Sequence, residues 1–357
     1  MATPTSGGGA QGAQVSGDDF LLKGEQLMAA GNEELAVQFL EKGLNLEPKH
    51  VELLRALGEA YMDMGRVADA KGIFLRAVEC APADASFYMY VGQVSGNKDA
   101  LEAYERGVSL LESQLQAAKD GNHAEIETKI TSRQLACAYC SLAELFMSDL
   151  CFEDDAEARC DKYLTRALEV YPDHPQALQC MASFRISQRR PEDAKPLALK
   201  ALESIRNALG RMDDDDDDGM MVDAGAGSLD QAQEEDDETL VPFEFRAATA
   251  RILVEVGEAA RAVPLVERLI RENDSVVEVW LLLAQCHMAA EHASPADECL
   301  EKAQELCTQL LASEPSFQHD EQFLAVKDKV DKLRVFVAPL AEKEEAQNGA
   351  TGASASS

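Results

Sequence analysis

The chain has 357 residues, an apolar share of 46% and a formal net charge of -32. So large a surplus of acids repels phosphate groups, which argues against nucleic acid and anionic membranes as direct partners. No apolar run approaches the roughly 18 to 20 residues that cross a bilayer. Residues 1–16 lack the basic-then-apolar order of a secretion signal and are predicted to form a disordered tail, so we expect a soluble protein inside the cell.

The first part of the chain after the tail contains a repeated pair of helices. Residues 51–82 fit the tetratricopeptide pattern, whose period is about 34 residues. The pattern positions in this stretch are Leu54, Leu57, Gly58, Tyr61, Ala70, Phe74, Ala77 and Pro82. One repeat earlier, the matching positions are Phe20, Gly24, Leu27, Ala36, Leu40, Gly43 and Pro48. Because one helix pair leaves an apolar face bare until a neighbour covers it, the repeats are expected to stack.

Further repeats follow along the chain. Five of them account for 17–209, two more account for 241–316, and 317–340 has the amphipathic pattern of a capping helix. The sequence therefore predicts an all-α fold, a right-handed tetratricopeptide-repeat superhelix of about seven helix pairs with a C-terminal capping helix. Residues 341–357 are predicted to be a disordered tail.

An acidic segment separates the fifth and sixth repeats. Asp213 to Glu238 contains thirteen acids and no base, a composition that cannot bury enough apolar surface to fold. Residues 210–240 are therefore predicted to be a disordered insertion. Loop closure costs only about 0.6 kcal/mol for each doubling of loop length, so the later repeats can still dock on the earlier ones.

The sequence contains no constellation typical of an enzyme. It has no phosphate-binding glycine loop, no H-E-x-x-H and no nucleophile elbow, and His287 falls inside a repeat helix. Cys137 and Cys140 form a C-x-x-C pair within a helix, without the second ligand pair that a zinc site needs. We therefore predict a protein that is not an enzyme and has no metal and no cofactor, with its nine cysteines reduced.

Acids and methionines recur on the first helices, which line the concave groove of such arrays. The residue after the small packing position is acidic in Glu25, Glu59 and Glu144. The fourth residue after that position is methionine in Met28, Met62, Met147 and Met288. Further candidate groove acids are Glu52, Asp63, Glu244, Glu255 and Glu278. A glutamate on a helix is often only solvated and a methionine often fills the core, so both alternatives stay open.

An acidic groove attracts a positively charged chain, and flexible methionine side chains adapt to what binds there. The sequence therefore predicts a basic, extended polypeptide as the partner. The order of parts, together with segments 19–48, 61–82, 135–164 and 279–291, resembles the dedicated assembly chaperones of the large-subunit ribosomal protein L-four. The resemblance implies that the repeats wrap a long basic loop of this ribosomal protein and shield it, and we predict a monomer. It also implies passage from cytoplasm to nucleus for pre-60S assembly. Arg189 and Arg190 are too small a basic cluster for import, which suggests that the import receptor reads the cargo.

One other class of chaperone remains as an alternative, and a second class is excluded by its groove residues. A histone chaperone with an interrupted repeat array also binds basic proteins, but there the acidic segment interrupts one repeat rather than falling between two. A co-chaperone that grips acidic C-terminal tails needs Lys and Asn in its groove. The corresponding residues here are Leu21, Glu25, Ala56, Glu59, Ser86 and Tyr90, which exclude that alternative.

Overall fold

The computed structural model describes residues 16–121, 125–215 and 241–354, and within these ranges the regular elements are helices. The chain divides into two compact units, Met1–Val170 and Tyr171–Ser357. Each unit is a stack of antiparallel helix pairs joined by short turns. The all-α tetratricopeptide fold that the sequence predicts is therefore confirmed.

Unit 1 contains four helix pairs. Its helices are α1 Gly17–Ala29, α2 Glu33–Leu46, α3 Val51–Asp63, α4 Val67–Cys80, α5 Ala85–Gln93, α6 Asn97–Asp120, α7 Glu125–Met147 and α8 Ala156–Val170. Helices α6 and α7 are longer than the repeat pattern requires. Leu115 and Ala118 on the extra length of α6 are buried, so the extension packs within the unit.

Unit 2 contains three helix pairs and a last helix. Its helices are α9 Pro175–Ser187, α10 Pro191–Asp215, α11 Phe243–Glu255, α12 Ala259–Glu272, α13 Val277–Ala289, α14 Ala293–Ser313 and, after a 3-10 turn at Pro315–His319, α15 Glu321–Ser354. Seven pairs and one terminal helix match the predicted number. One core joins Leu202 and Ile205 of α10 to Ala247 and Leu253 of α11, so the parts on either side of the acidic segment pack together.

Small residues allow the two helices of a pair to approach closely. A Cβ placed on Gly58 of α3 would lie 2.3 Å from the Phe74 ring of α4, and one on Gly24 would lie 2.5 Å from Leu40. Gly31, in the turn after α1, has a left-handed φ of 71°, which favours glycine over other residues. These positions explain why the pattern contains glycine where it does.

Two predicted boundaries need correction. Helix α10 continues to Asp215, past the predicted end at 209, and the rest of the acidic segment lies outside the described residues. Helix α15 continues to Ser354, so the predicted tail is helical over 341–354. The reason is local. Residues 341–347 are strong helix formers, Ala341 is buried, and Glu344 accepts hydrogen bonds from the N–H groups of Ala293 (2.8 Å) and Ser294 (2.9 Å).

Candidate functional site

The first helices of the pairs carry the candidate binding residues. We call their outward surface the first-helix face: that of α1, α3, α5 and α7 in unit 1, and that of α9, α11 and α13 in unit 2. On this face in unit 1, Glu25, Glu52, Asp63 and Glu144 are exposed, and Glu59 is half-buried. The predicted acids of unit 1 are thus at positions that a ligand can reach, while their role in binding remains a prediction.

Arg55 lies on α3 between Glu52 and Glu59 and was not among the residues predicted from the sequence. Its guanidinium contacts Glu52 at 3.1 Å, Asp84 at 3.1 Å and the Ser86 hydroxyl at 3.1 Å. Burial lowers the pKa of Arg55, but Glu52 and Asp84 outweigh that effect and hold its pKa above the usual value. Glu52 and Asp84 are therefore partly neutralised within the protein. The spacing of Arg55 three residues after Glu52 was the available sequence signal.

Glu59 has a partner on the next first helix. The Tyr90 hydroxyl of α5 donates a hydrogen bond to the Glu59 carboxylate, and the Tyr90 ring stacks on Phe74 with ring centroids 4.6 Å apart. Burial, followed by the hydrogen bond to Glu59, raises the pKa of Tyr90 to about 12. Glu59 therefore also serves to join repeats two and three, which the sequence pattern did not indicate.

Tyrosine–glutamate hydrogen bonds recur at the junctions between repeats in unit 1. Tyr61 of α3 donates to Glu41 of α2 at 2.7 Å. At the junction of repeats three and four there are two such bonds, from Tyr139 to Glu112 and from Tyr163 to Glu105. Each junction of unit 1 thus has a neutral phenol donating to a carboxylate. Part of the acidity of this chain is structural as a result.

The four predicted methionines are all half-buried. Met28 and Met62 pack against the core of unit 1, and Met288 packs against the core of unit 2. Met147, at the end of α7, is likewise half-buried. Met28, Met62 and Met288 therefore meet the core, and all four side chains keep a part exposed. This position is compatible with core filling and with ligand contact.

The first-helix face of unit 2 has a different charge pattern. Glu244 and Glu255 on α11 and Glu278 on α13 are exposed, as predicted from the sequence. However, Arg251 occupies on α11 the position that Glu59 has on α3. The recurrence of glutamate at this position is thus a property of unit 1.

A buried arginine holds the first and second helices of the sixth repeat together. Arg246 of α11 is 6% exposed, and its guanidinium binds both carboxylate oxygens of Glu272 on α12, at 2.5 and 2.6 Å. The hydrogen bond from Arg246 lowers the pKa of Glu272. Arg246 is therefore a structural cation and is not available to repel a basic ligand.

The two cysteines of the C-x-x-C pair lie within the fold, whereas Cys151 is exposed. Cys140 of α7 is buried and Cys137 half-buried, and burial raises the pKa of Cys137 to about 11. Within the described ranges, no group of three or more His, Cys, Asp or Glu side chains is arranged to hold a metal ion. Among the helices described, none combines the length and apolar character that crossing a membrane requires.

Comparison with known proteins agrees with this geometry. Tetratricopeptide-repeat family models match residues 27–93 and 247–292. A protein of Schizosaccharomyces pombe named "Probable assembly chaperone of rpl4" is 30% identical over 283 residues, which are 77% of this chain and 75% of that protein. A protein of Emericella nidulans with the same name is 28% identical over 71% of this chain and 58% of its own length.

A solved structure, "Assembly Chaperone of RpL4 (Acl4) (Residues 1-338)", is similar to this chain with a TM-score of 0.56 and 25% sequence identity. The match covers 78% of this chain and 97% of the solved one. Repeat architecture, sequence identity and structural similarity thus agree. The chain belongs to the tetratricopeptide-repeat family of assembly chaperones of rpl4.

Proposed function

We propose that this protein is a ribosome-biogenesis chaperone that binds newly made rpl4, the ribosomal protein L-four named above. The identity of 30% over 77% of the chain to a probable assembly chaperone of rpl4 is the observation that carries this proposal. We propose that a basic, extended segment of rpl4 binds to the first-helix face. The segment is shielded there until rpl4 joins the nascent large ribosomal subunit. The protein acts by binding and has no catalytic step.

Long-range charge accounts for capture of the partner. The net charge of -32 and the exposed carboxylates Glu25, Asp63 and Glu144 attract a cationic chain and accelerate its encounter. Each exposed ion pair contributes only about 0 to 1 kcal/mol, so charge alone gives fast but weak binding. The half-buried methionines supply apolar contacts that adapt to the bound segment and lengthen its residence.

The proposal includes escort of the partner from cytoplasm to nucleus as a monomer. Arg190 forms an ion pair with Asp193 at 2.6 Å, so the basic pair at 189–190 is partly neutralised. A carrier without a strong basic import cluster depends on the signal of its cargo for the import receptor. Direct contact with nucleic acid or membrane is opposed by the charge of the chain.

A histone chaperone is the second candidate, because core histones are also basic. The arrangement of the helices favours rpl4. The pair α9 and α10 precedes the acidic segment and the pair α11 and α12 follows it, so no pair is interrupted. In the rival class the acidic segment separates the two helices of one repeat.

Titration of the purified full chain with purified rpl4, and separately with core histones, tests the proposal. We expect a one-to-one complex with rpl4 and at least about tenfold weaker binding of histones at the same ionic strength, since charge alone does not distinguish basic partners. Equal or tighter binding of histones would replace the proposal with its alternative.

A further inference from the structure

An open cleft of about 490 Å³ lies at the C-terminal end of unit 2. Its apolar wall consists of Met288 at the end of α13 and Phe336, Val337 and Leu340 of α15. An apolar cavity of about 150 Å³ is enough for a benzene ring, so the cleft accommodates a large apolar side chain with part of its backbone.

Two large apolar side chains in the wall of the cleft are exposed to solvent. Phe336 is 64% exposed and Leu340 is 42% exposed, whereas Val337 between them is 2% exposed and anchors the helix. Large apolar side chains grouped around a concavity typically mark an interaction site. The cleft therefore has an apolar wall that nothing within the described chain covers.

The wall is held in place before any ligand binds. Glu344, about one helical turn beyond Leu340, accepts hydrogen bonds from the N–H groups at the start of α14, at 2.8 and 2.9 Å. A carboxylate at a helix N-terminus is favourable because of the free N–H groups and the helix dipole. This contact fixes α15 against α14, so little conformational freedom is lost when a side chain enters the cleft.

The cleft shares Met288 with the first-helix face of unit 2. Met288 has on α13 the position that Met28 and Met62 have on their helices in unit 1. Helix α15 packs against both α13 and α14, as the first helix of a further repeat would do. A chain bound on α13 next to Met288 would therefore lie beside the cleft.

The charged residues at the rim of the cleft favour a basic residue next to the apolar side chain that enters it. Glu291 and Glu344 carry negative charge there, and Lys343 is the single base among the lining residues. We propose that the cleft is a subsite for one large apolar side chain of the basic rpl4 segment, with a Lys or Arg neighbour directed toward Glu291. This inference rests on the proposed function and adds an anchoring residue to it.

The test compares Phe336→Ser with Val335→Ser in the full-length protein, by titration with purified full-length rpl4. Val335 is 78% exposed on the same helix but lines the cleft between α14 and α15 instead. We expect Phe336→Ser to weaken binding roughly tenfold, a typical loss for an aromatic anchor, and Val335→Ser to change it by less than about twofold. The tenfold loss should persist at high salt, because the contact is apolar.

A photo-reactive phenylalanine analogue in place of Phe336 identifies the occupant. We expect it to cross-link to an apolar rpl4 residue that has a Lys or Arg neighbour. Equal affinities of the two serine variants, or cross-links only to acidic or unflanked residues, would overturn the subsite while leaving rpl4 binding intact. Failure of the unaltered protein to bind rpl4 would instead contradict the proposed function.

Discussion

At the scale of single residues, the acids of unit 1 have two different roles. Glu25 and Asp63 project from the first-helix face as exposed carboxylates. Glu59 accepts a hydrogen bond from Tyr90, and Glu52 forms an ion pair with Arg55. Acids that look equivalent in the sequence are thus divided between attraction of a ligand and attachment of one repeat to the next.

The tyrosines of unit 1 should make its stability sensitive to alkaline pH. Burial raises the pKa of Tyr61, Tyr90 and Tyr104 to about 12, above the usual value of 10.0. A raised pKa stabilises the fold fully below pH about 10, and this contribution is lost as the pH rises toward about 12. Tyrosinate absorbance and circular dichroism should therefore change together in this window.

Replacement of Tyr90 by Phe provides the matched comparison, because it removes the titrating hydroxyl and keeps the ring on Phe74. We expect the variant to lose less stability between pH about 10 and 12 than the parent. Tyrosines that ionise near pH 10 in the folded protein would contradict this account of the junctions.

The Arg246–Glu272 pair should be important for the stability of unit 2. Glu272→Ala leaves a guanidinium that is only 6% exposed without its bidentate partner. Breaking a fully buried pair costs about 3 to 5 kcal/mol, and because Glu272 is 39% exposed we expect about 2 kcal/mol in urea unfolding. Glu267→Ala, at an exposed position on the same helix, should cost less than about 0.5 kcal/mol. Equal effects of the two substitutions would exclude a structural role for the pair.

The sequence predicted the position of the acids but not their partners. The repeat register gives the face on which Glu52 and Glu59 lie. Glu52 pairs with Arg55 of its own helix, whereas the pairing of Glu59 depends on the neighbouring helix, where Tyr90 lies opposite it. That alignment is a result of packing between helices and is not contained in the spacing along one helix.

At the scale of helices, the pairing is determined by small residues at the crossing points. Gly58 allows the Phe74 ring to lie against the backbone of α3. The sequence predicted the helix pairs well, because glycine, alanine and aromatic residues recur at fixed positions. It predicted the helix ends poorly at α10 and α15, which continue beyond the predicted boundaries at 209 and 340.

Substitution of Gly58 by Ala tests the close approach. The new Cβ would lie 2.3 Å from the buried Phe74 ring, so the ring or its helix must shift, and we expect a loss of about 1 to 3 kcal/mol. Gly72→Ala is the control, since no atom lies within 4 Å of a Cβ at this helical position. There the gain in helix propensity should stabilise the protein by about 0.5 to 1 kcal/mol. Thermal unfolding measures both, and a stabilising Gly58→Ala would refute the packing argument.

At the scale of the molecule, the two units offer a ligand different chemistry. The recurring exposed glutamates belong to unit 1, and the open apolar cleft beside Met288 belongs to unit 2. The boundary between the units, after Val170, lies before the acidic segment and does not coincide with it. The core of unit 2 includes helices from both sides of that segment, so the segment is an insertion within a unit.

The central claim is that carboxylates on the first-helix face capture the basic segment of rpl4. Stopped-flow association with rpl4 tests it most directly, with Glu25, Asp63 and Glu144 replaced by Lys together. In the control, three exposed glutamates of second helices, Glu34, Glu79 and Glu102, are replaced by Lys. The control therefore changes the net charge of the chain by the same amount as the first-helix variant. We expect the first-helix variant to associate about tenfold more slowly and with a flatter salt dependence, and the control to change by less than about threefold. Equal slowing by both variants would contradict the claim, because net charge rather than this face would then direct capture.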